Sequence, residues 1–293
     1  MILIRTTNMQ TKKILLAGAT GYLGRYIAQE LSRKNYPTKI LVRNKAKITS
    51  DMLTSQIIIA GVTQANSLKG TMYDVDTVIS TVGITKQKDG LSYMDVDYQA
   101  NINLLREAQT SGVRKFIYVS ALNGDMLTHL KMTEAKERFV KELENSGLQY
   151  CIIRPNGFFS DMSEFLKMAE KGSIKLFGDG NFKMNPIHGA DLAEVIIDAI
   201  HSEHLTIEVG GPEIFTHNEI ANMAFDVINR KPKIKYMPEW IRKIILGLSR
   251  TFTSSKTYGP LEFFFTVLSM DMIAPKYGKH TLYECFSEIN SNK

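Results

Sequence analysis

The chain has 293 residues, 44% of them hydrophobic and 23% charged, and a formal net charge of +6. That length buries a sizeable core and suits one large α/β domain, or a nucleotide-sized domain with a smaller lobe. Cys151 and Cys285 supply neither metal-ligand spacing nor a disulfide framework, so no metal is expected and a reducing, cytoplasmic setting fits.

In chain order, Met1 to Gln10 reads as an extension, too short in its apolar part for a signal-peptide core. Ile14 to Ala17 is an apolar run with the length of a buried parallel strand. It enters Gly18-Ala19-Thr20-Gly21-Tyr22-Leu23-Gly24, and a helical pattern of Tyr22, Leu23, Ile27, Ala28 and Leu31 follows to about Lys34. Strand, glycine turn and helix are the context in which such a fingerprint binds a dinucleotide. Gly18 allows the tight reversal, Gly21 lets backbone N–H groups approach a pyrophosphate, and Gly24 lets helix and strand pack closely. Thr20, Tyr22 and Leu23 complete the cofactor-binding turn.

Thr38 to Arg43 is the second strand. At its end an acid would bond the ribose 2′-OH of NAD, whereas an arginine accommodates the 2′-phosphate of NADP. The sequence offers Arg43-Asn44-Lys45, with no acid before Asp51. NADP(H) is therefore expected, with Arg43 its main reader. Gln56 to Ala60 is strand three, with a short helix beginning at Leu68. Asp76 to Val82 is strand four, whose small terminal residues place Thr81 and Gly83 beside the cofactor. A polar loop, Ile84 to Lys88, follows.

Val96 to Thr110 is an amphipathic helix carrying Tyr98, Ile102, Leu105 and Gln109 at helical spacing. Lys115 to Ser120 is strand five, Lys131 to Asn145 a helix, and Gln149 to Ile153 strand six. Six strands alternating with helices predict a doubly wound, Rossmann-type parallel sheet spanning residues 11–155. Residues 156–293 are expected to form a smaller, mixed substrate lobe that partly returns to the core at about 185–210. Asn156 and Phe158 follow strand six, where the nicotinamide end should lie. Ser163 to Lys171 looks helical, Lys175 to Gly180 like a strand and turn, and Leu192 to Ile200 like an apolar helix. Thr206 to Val209 is a short strand. Thr216 to Asn229 is helical, with Thr216 and Glu219 spaced as a capping box.

Glu239 to Leu248 sets Trp240, Ile241, Ile244, Ile245 and Leu248 against Arg242, Lys243 and Arg250. Such a helix either packs on a core or lies on a membrane surface. Phe263 to Met270 is apolar but too short to span a bilayer. The basic clusters at Lys12-Lys13, Arg43 to Lys47 and Lys231 to Lys235 come with no nucleic-acid motif.

The glycine turn, Val78 to Thr85, Val96 to Asn101, Ile153-Arg154-Pro155, Asn185 to Ala193 and Ala274 to Gly278 together resemble the atypical short-chain dehydrogenase/reductases. The similarity is to the NmrA-like and isoflavone-reductase-like NAD(P)-binding proteins, nearest the bacterial atypical group five. The resemblance implies hydride transfer with NADP(H) to a small carbonyl, enone or quinone acceptor, and a catalytic Lys136 and Ser120 in the family's Lys and Ser positions. Lys136 would also hold the nicotinamide ribose. The family's tyrosine stands four residues before that lysine; here the position is Met132, which cannot donate a proton. Isoflavone-reductase-like relatives work with a lysine and no tyrosine. Lys131, Thr133, His129 and His188 are the other candidates for the missing acid. A non-catalytic NADP(H)-binding redox sensor or assembly factor is the alternative, and a sugar-nucleotide epimerase a weaker one. The oligomeric state is left open by the sequence.

Overall fold

The computed structural model describes residues 13–48, 52, 55–84, 90–252 and 255–292. The expected extension at Met1 to Gln10 and most of the polar loop after Ile84 lie outside them. Seven parallel strands form the main sheet in the order β3-β2-β1-β4-β5-β6-β9. The first six are β1 (Ile14–Ala17), β2 (Thr38–Val42), β3 (Gln56–Ile59), β4 (Thr77–Ser80), β5 (Lys115–Val119) and β6 (Gln149–Pro155). The order reverses between β1 and β4, so a crevice opens outside their carboxyl ends.

Side chains alternate across β1. Ile14 and Leu16 face one core with α1 (Tyr22–Arg33), while Leu15 and Ala17 face a second. That second core holds α3 (Asn101–Thr110) and α4 (Lys131–Glu144). Both faces are covered over the central strands β1, β2, β4 and β5, which is why these are buried throughout, while the edge strand β3 is partly exposed. The short α2 (Ala65–Leu68) ends at the leucine expected to begin it. The helix expected over Val96 to Thr110 is divided: Met94–Ala100 is wound as a π-helix, and α3 continues from Asn101.

Beyond β6 the chain builds a lobe. It contains α5 (Phe159–Glu170), β7 (Ile174–Phe177) and β8 (Lys183–Met184). The chain then returns to the sheet through α6 (Gly189–Asp198), packed on α1, and β9 (Thr206–Val209), which pairs with β6. The lobe resumes with β10 (Phe215–Thr216), α7 (His217–Val227), β11 (Ile234–Met237), α8 (Glu239–Phe252), α9 (Ser255–Val267) and α10 (Leu282–Ser291). Its core gathers Phe159, Phe165, Phe225, Leu282 and Phe286. The Thr216–Glu219 capping box forms at the start of α7.

His217 is buried in this lobe with its Nε2 lacking a hydrogen-bond partner, and burial pushes its pKa down to about 4. The unfolded chain takes that proton near pH 6.5. Stability is therefore lost as pH falls from about 6.5 to about 4, by roughly 3 kcal/mol. Urea unfolding of wild type and His217→Phe across that window checks this: the variant should lose less.

Candidate functional site

The turn after β1 has the geometry its glycines predict. Gly18 adopts φ +92°, open to glycine and strained for other residues, and its missing side chain leaves room for Thr81 at the end of β4. A Cβ on Gly24 would collide with the Gly18 carbonyl oxygen and lie 2.7 Å from the Ala19 Cα. Helix α1 starts after Gly21 with no side-chain cap and no acid in its first turn. The Gly21 N–H turns back to the Gly18 carbonyl at 3.0 Å. The next N–H groups, of Tyr22, Leu23 and Gly24, head the helix with no intrahelical acceptor. An uncapped, acid-free helix start beside three glycines fits a diphosphate. Arg43 follows β2, exposed to solvent one strand away.

At the neighbouring carboxyl ends a charged cluster is buried. Lys136 of α4 places its ammonium 3.0 Å from Asp97 Oδ1, and Asp97 is fully buried. Asp97 Oδ2 accepts the Ile84 N–H at 3.2 Å. Gly83 closes over the pair: a Cβ there would meet Asp97 Oδ1 at 2.6 Å and Lys136 Nζ at 3.0 Å. The ammonium also lies 5.6 Å from the ring centroid of Tyr118, on β5. The Tyr118 hydroxyl is buried without a hydrogen-bond partner. Tyr118 and Asp97 together hold the Lys136 pKa above its ordinary value against the opposing effect of burial. Burial raises that of Asp97, and Lys136 opposes it. Asn101 fixes the scaffold, accepting from Ser80 Oγ at 2.6 Å and donating to the Val82 and Asp97 carbonyls.

The other expected site residues are placed differently. Ser120 is buried and donates to Glu137 Oε1 at 2.7 Å. Glu137 is in turn clamped by both terminal nitrogens of Arg154 at 2.8 and 2.7 Å. The hydroxyl is thus committed to a buried ion pair. Asn156, expected at the nicotinamide, spends its side chain elsewhere. Its amide donates to Asn185 Oδ1 and the Met272 carbonyl, and its oxygen accepts the Gly157 N–H. Both amide hydrogens are thus committed within the protein, which leaves the oxygen one further lone pair. Phe158 does reach the glycine turn, its ring 5.7 Å from that of Tyr22. The Tyr22 hydroxyl accepts the Gly189 N–H at 3.2 Å, tying the first helix to α6.

Among the described residues, no hydrogen bond or ion pair joins Lys136 to any of the substitutes for the missing tyrosine. Lys131 pairs with Glu134, Thr133 donates to the Leu127 and Leu130 carbonyls, and His188 accepts the Ala190 N–H. His129 is exposed. Met132 is buried in an apolar cluster with Tyr93 and Ala135, against Phe263 of α9. Sequence reasoning missed Asp97, Asn101 and Tyr118. A usable signal existed: Asp97 and Asn101 sit one helical turn apart, continuous with the buried Leu104, Leu105 and Ala108.

A parallel sheet with a crevice at its order reversal and a glycine-bared helix start beside it define a dinucleotide-binding fold. A family model described as NAD(P)H-binding matches residues 18–203, and the chain belongs to that family. The resemblance to NAD(P)-binding, isoflavone-reductase-like proteins read from the sequence is borne out in the NAD(P)H-binding family and in the fold.

Among curated relatives, the chain is 25% identical to the chloroplastic divinyl chlorophyllide a 8-vinyl-reductase of Oryza sativa subsp. indica, over 94% of this chain and 78% of that protein. It is 26% identical to the mitochondrial NADH dehydrogenase [ubiquinone] 1 alpha subcomplex subunit 9 of Arabidopsis thaliana, over 83% of this chain and 64% of that protein. Among solved structures, it shares the fold of an isoflavone reductase (TM-score 0.71, 18% identity, 96% of this chain and 100% of that one). It also shares that of the NADPH-dependent quinone oxidoreductase QOR2 of Escherichia coli (TM-score 0.70, 18% identity, 94% and 99%).

Proposed function

We propose that the protein is an NADPH-dependent oxidoreductase that reduces a small, apolar carbonyl, enone or quinone acceptor. The observation that carries this reading is the Lys136 ammonium, held by the buried Asp97 under Gly83 past the carboxyl end of β4, beside the crevice between β1 and β4. Bound NADPH would supply the hydride. Gly18, Thr20, Gly21, Tyr22, Leu23 and Gly24 would cradle the diphosphate, and Thr81 and Gly83 would flank the ribose edge. Lys136 would hold the nicotinamide ribose and offer positive charge and a proton to the acceptor oxygen, taking the place of the absent tyrosine. Ser120 would act through Glu137 and Arg154, and Asn156 through the turn before Phe158; both are positioning residues. Phe158 would wall the nicotinamide side. The name of one similar structure, a quinone oxidoreductase, fits this acceptor class, and that of one relative, a vinyl reductase, names reduction of a carbon–carbon double bond.

The dry surroundings of Met132 favour a second reading, a non-catalytic NADP(H)-binding protein. A relative named as one subunit of a larger NADH dehydrogenase is compatible with such a role. Mixing NADPH-loaded protein with an aldehyde, ketone, enone and quinone panel under single-turnover conditions separates the two. The reductase reading expects loss of nicotinamide absorbance with at least one class; none with any class overturns it.

Preference for NADPH is assigned to Arg43. Charge-assisted hydrogen bonds to a phosphate contribute about 1.5–3 kcal/mol. Arg43→Ala should therefore weaken NADPH about 10- to 100-fold and leave NADH nearly unchanged, as read by fluorescence titration. Equal affinities for both nucleotides in the wild type would refute the assignment.

A further inference from the structure

We infer that α8 is a docking helix for an anionic lipid bilayer surface, with Trp240, Ile244, Ile245 and Leu248 as its inserting residues. Trp240, Ile244 and Leu248 recur at four-residue intervals and form one stripe, with Ile245 on its flank. All four are exposed, Trp240 by 60% and Leu248 by 53%. Leu246, buried, lies on the opposite side of the helix, as does Arg242, which is mostly covered and pairs with Glu239 at 2.8 Å. The helix therefore meets the body, including α9, through its less apolar side. It turns its apolar stripe outward, the reverse of an ordinary lobe helix.

Charge selects the occupant. Between residues 231 and 252 the sequence holds six basic residues and one acid. Nearly all of the chain's +6 is thus concentrated in one segment of twenty-two residues. Lys231, Lys233 and Lys235 are exposed beside β11, immediately before the helix. An apolar stripe with a tryptophan, joined to a local excess of positive charge, matches the interface of a bilayer carrying anionic headgroups. An acidic protein would complement the lysines, but a stripe of this kind also needs an apolar medium to enter, which the acyl boundary provides. No helix among the described residues is long and apolar enough to cross a membrane, so the contact is peripheral.

Docking here also has a consequence for the candidate site. Helix α9 packs between α8 and α4, and its Phe263 covers Met132 one helical turn from Lys136. A bilayer under α8 would place lipid-dissolved acceptors close to the helix that walls the site. That consequence rests on the reductase reading; the docking does not, and the experiment reads docking alone.

Trp240 is the only tryptophan, so its emission reports on this helix without labelling. Full-length protein is mixed with vesicles of phosphatidylcholine, or of phosphatidylcholine with phosphatidylglycerol, and followed by emission and by flotation. The expected result is a blue shift and co-flotation with the anionic vesicles, weakened by salt and much reduced with the neutral ones. Ile244→Asp/Leu248→Asp, a surface double variant, should abolish both signals while retaining the wild-type circular dichroism. Each of Lys231, Lys233 and Lys235 changed to Gln should weaken binding about fivefold. Absence of shift and flotation with anionic vesicles overturns the proposal. So does a vesicle-independent dimer that the double variant dissociates, which would make the stripe a contact between two copies. Saturable binding to an acidic protein with no binding to vesicles overturns it as well.

Discussion

Gly24→Ala is expected to abolish NADPH binding, lowering affinity at least about 100-fold, because the position has no room for a methyl group and lies where helix, strand and diphosphate converge. The added carbon would collide with the Gly18 carbonyl oxygen and sit 2.7 Å from Ala19 Cα and 2.8 Å from the Gly18 carbonyl carbon. All three are backbone atoms, so no rotamer change relieves the clash. The first turn of α1 must move away from β1, carrying the Tyr22 and Leu23 N–H groups with it. Overpacking of this kind also costs about 1–3 kcal/mol of stability. Gly247→Ala is the control. It has open space around it in the middle of α8, and there alanine should stabilise the helix by roughly 0.5–1 kcal/mol. Thermal unfolding and nucleotide fluorescence of the two variants check both statements. Unchanged NADPH affinity in Gly24→Ala would mean that the cofactor does not sit on this helix.

The second large effect is expected at the buried ion pair. Lys136→Met leaves Asp97 fully buried, with the Ile84 N–H still donating to its Oδ2. Removing one member of such a pair typically costs about 3–5 kcal/mol. The deficit depends on pH, and its sign follows from the carboxyl. Without the lysine, the folded-state pKa of Asp97, already raised by burial, rises further. The unfolded chain releases this proton near pH 3.9, the folded variant only at higher pH. Stability of the variant therefore falls as pH rises from about 4 to the raised folded value, while at lower pH the penalty disappears. Urea unfolding across that range measures it.

Asp97→Asn/Lys136→Met removes both charges and should recover most of the lost stability. Hydride transfer should stay depressed at least about 100-fold in both variants, the scale of a lost acid–base group. A double variant that regained stability and turnover together would show Lys136 to be a structural cation, and would leave the non-catalytic reading as the stronger one.

The parts of this site that were legible in the sequence are those made by neighbours in the chain. The glycine turn needs only a strand, three residues without side chains and a helix in succession, and backbone sterics make that pattern local. The sheet was legible for the same reason, since apolar runs alternating with helical periods admit few topologies. The α1 start, Arg43 after β2 and Thr81 at the carboxyl end of β4 followed from it, whereas the contact of Thr81 with Gly18 did not. What the sequence could not decide was where polar side chains from distant segments would point. Ser120 and Asn156 stand at the strand ends expected of them, yet one donates to Glu137 and the other to Asn185 and Met272. Burial forces each polar group to find a partner, and the partner is chosen in three dimensions. Asp97, Tyr118 and Lys136 belong to a π-helical segment, a strand and a helix that meet only when β4 and β5 lie side by side. For α8, amphipathicity was plain from the residues, but periodicity fixes only which side chains share a face. The direction in which that face turns was set by packing against the rest of the lobe, which left the apolar stripe outward.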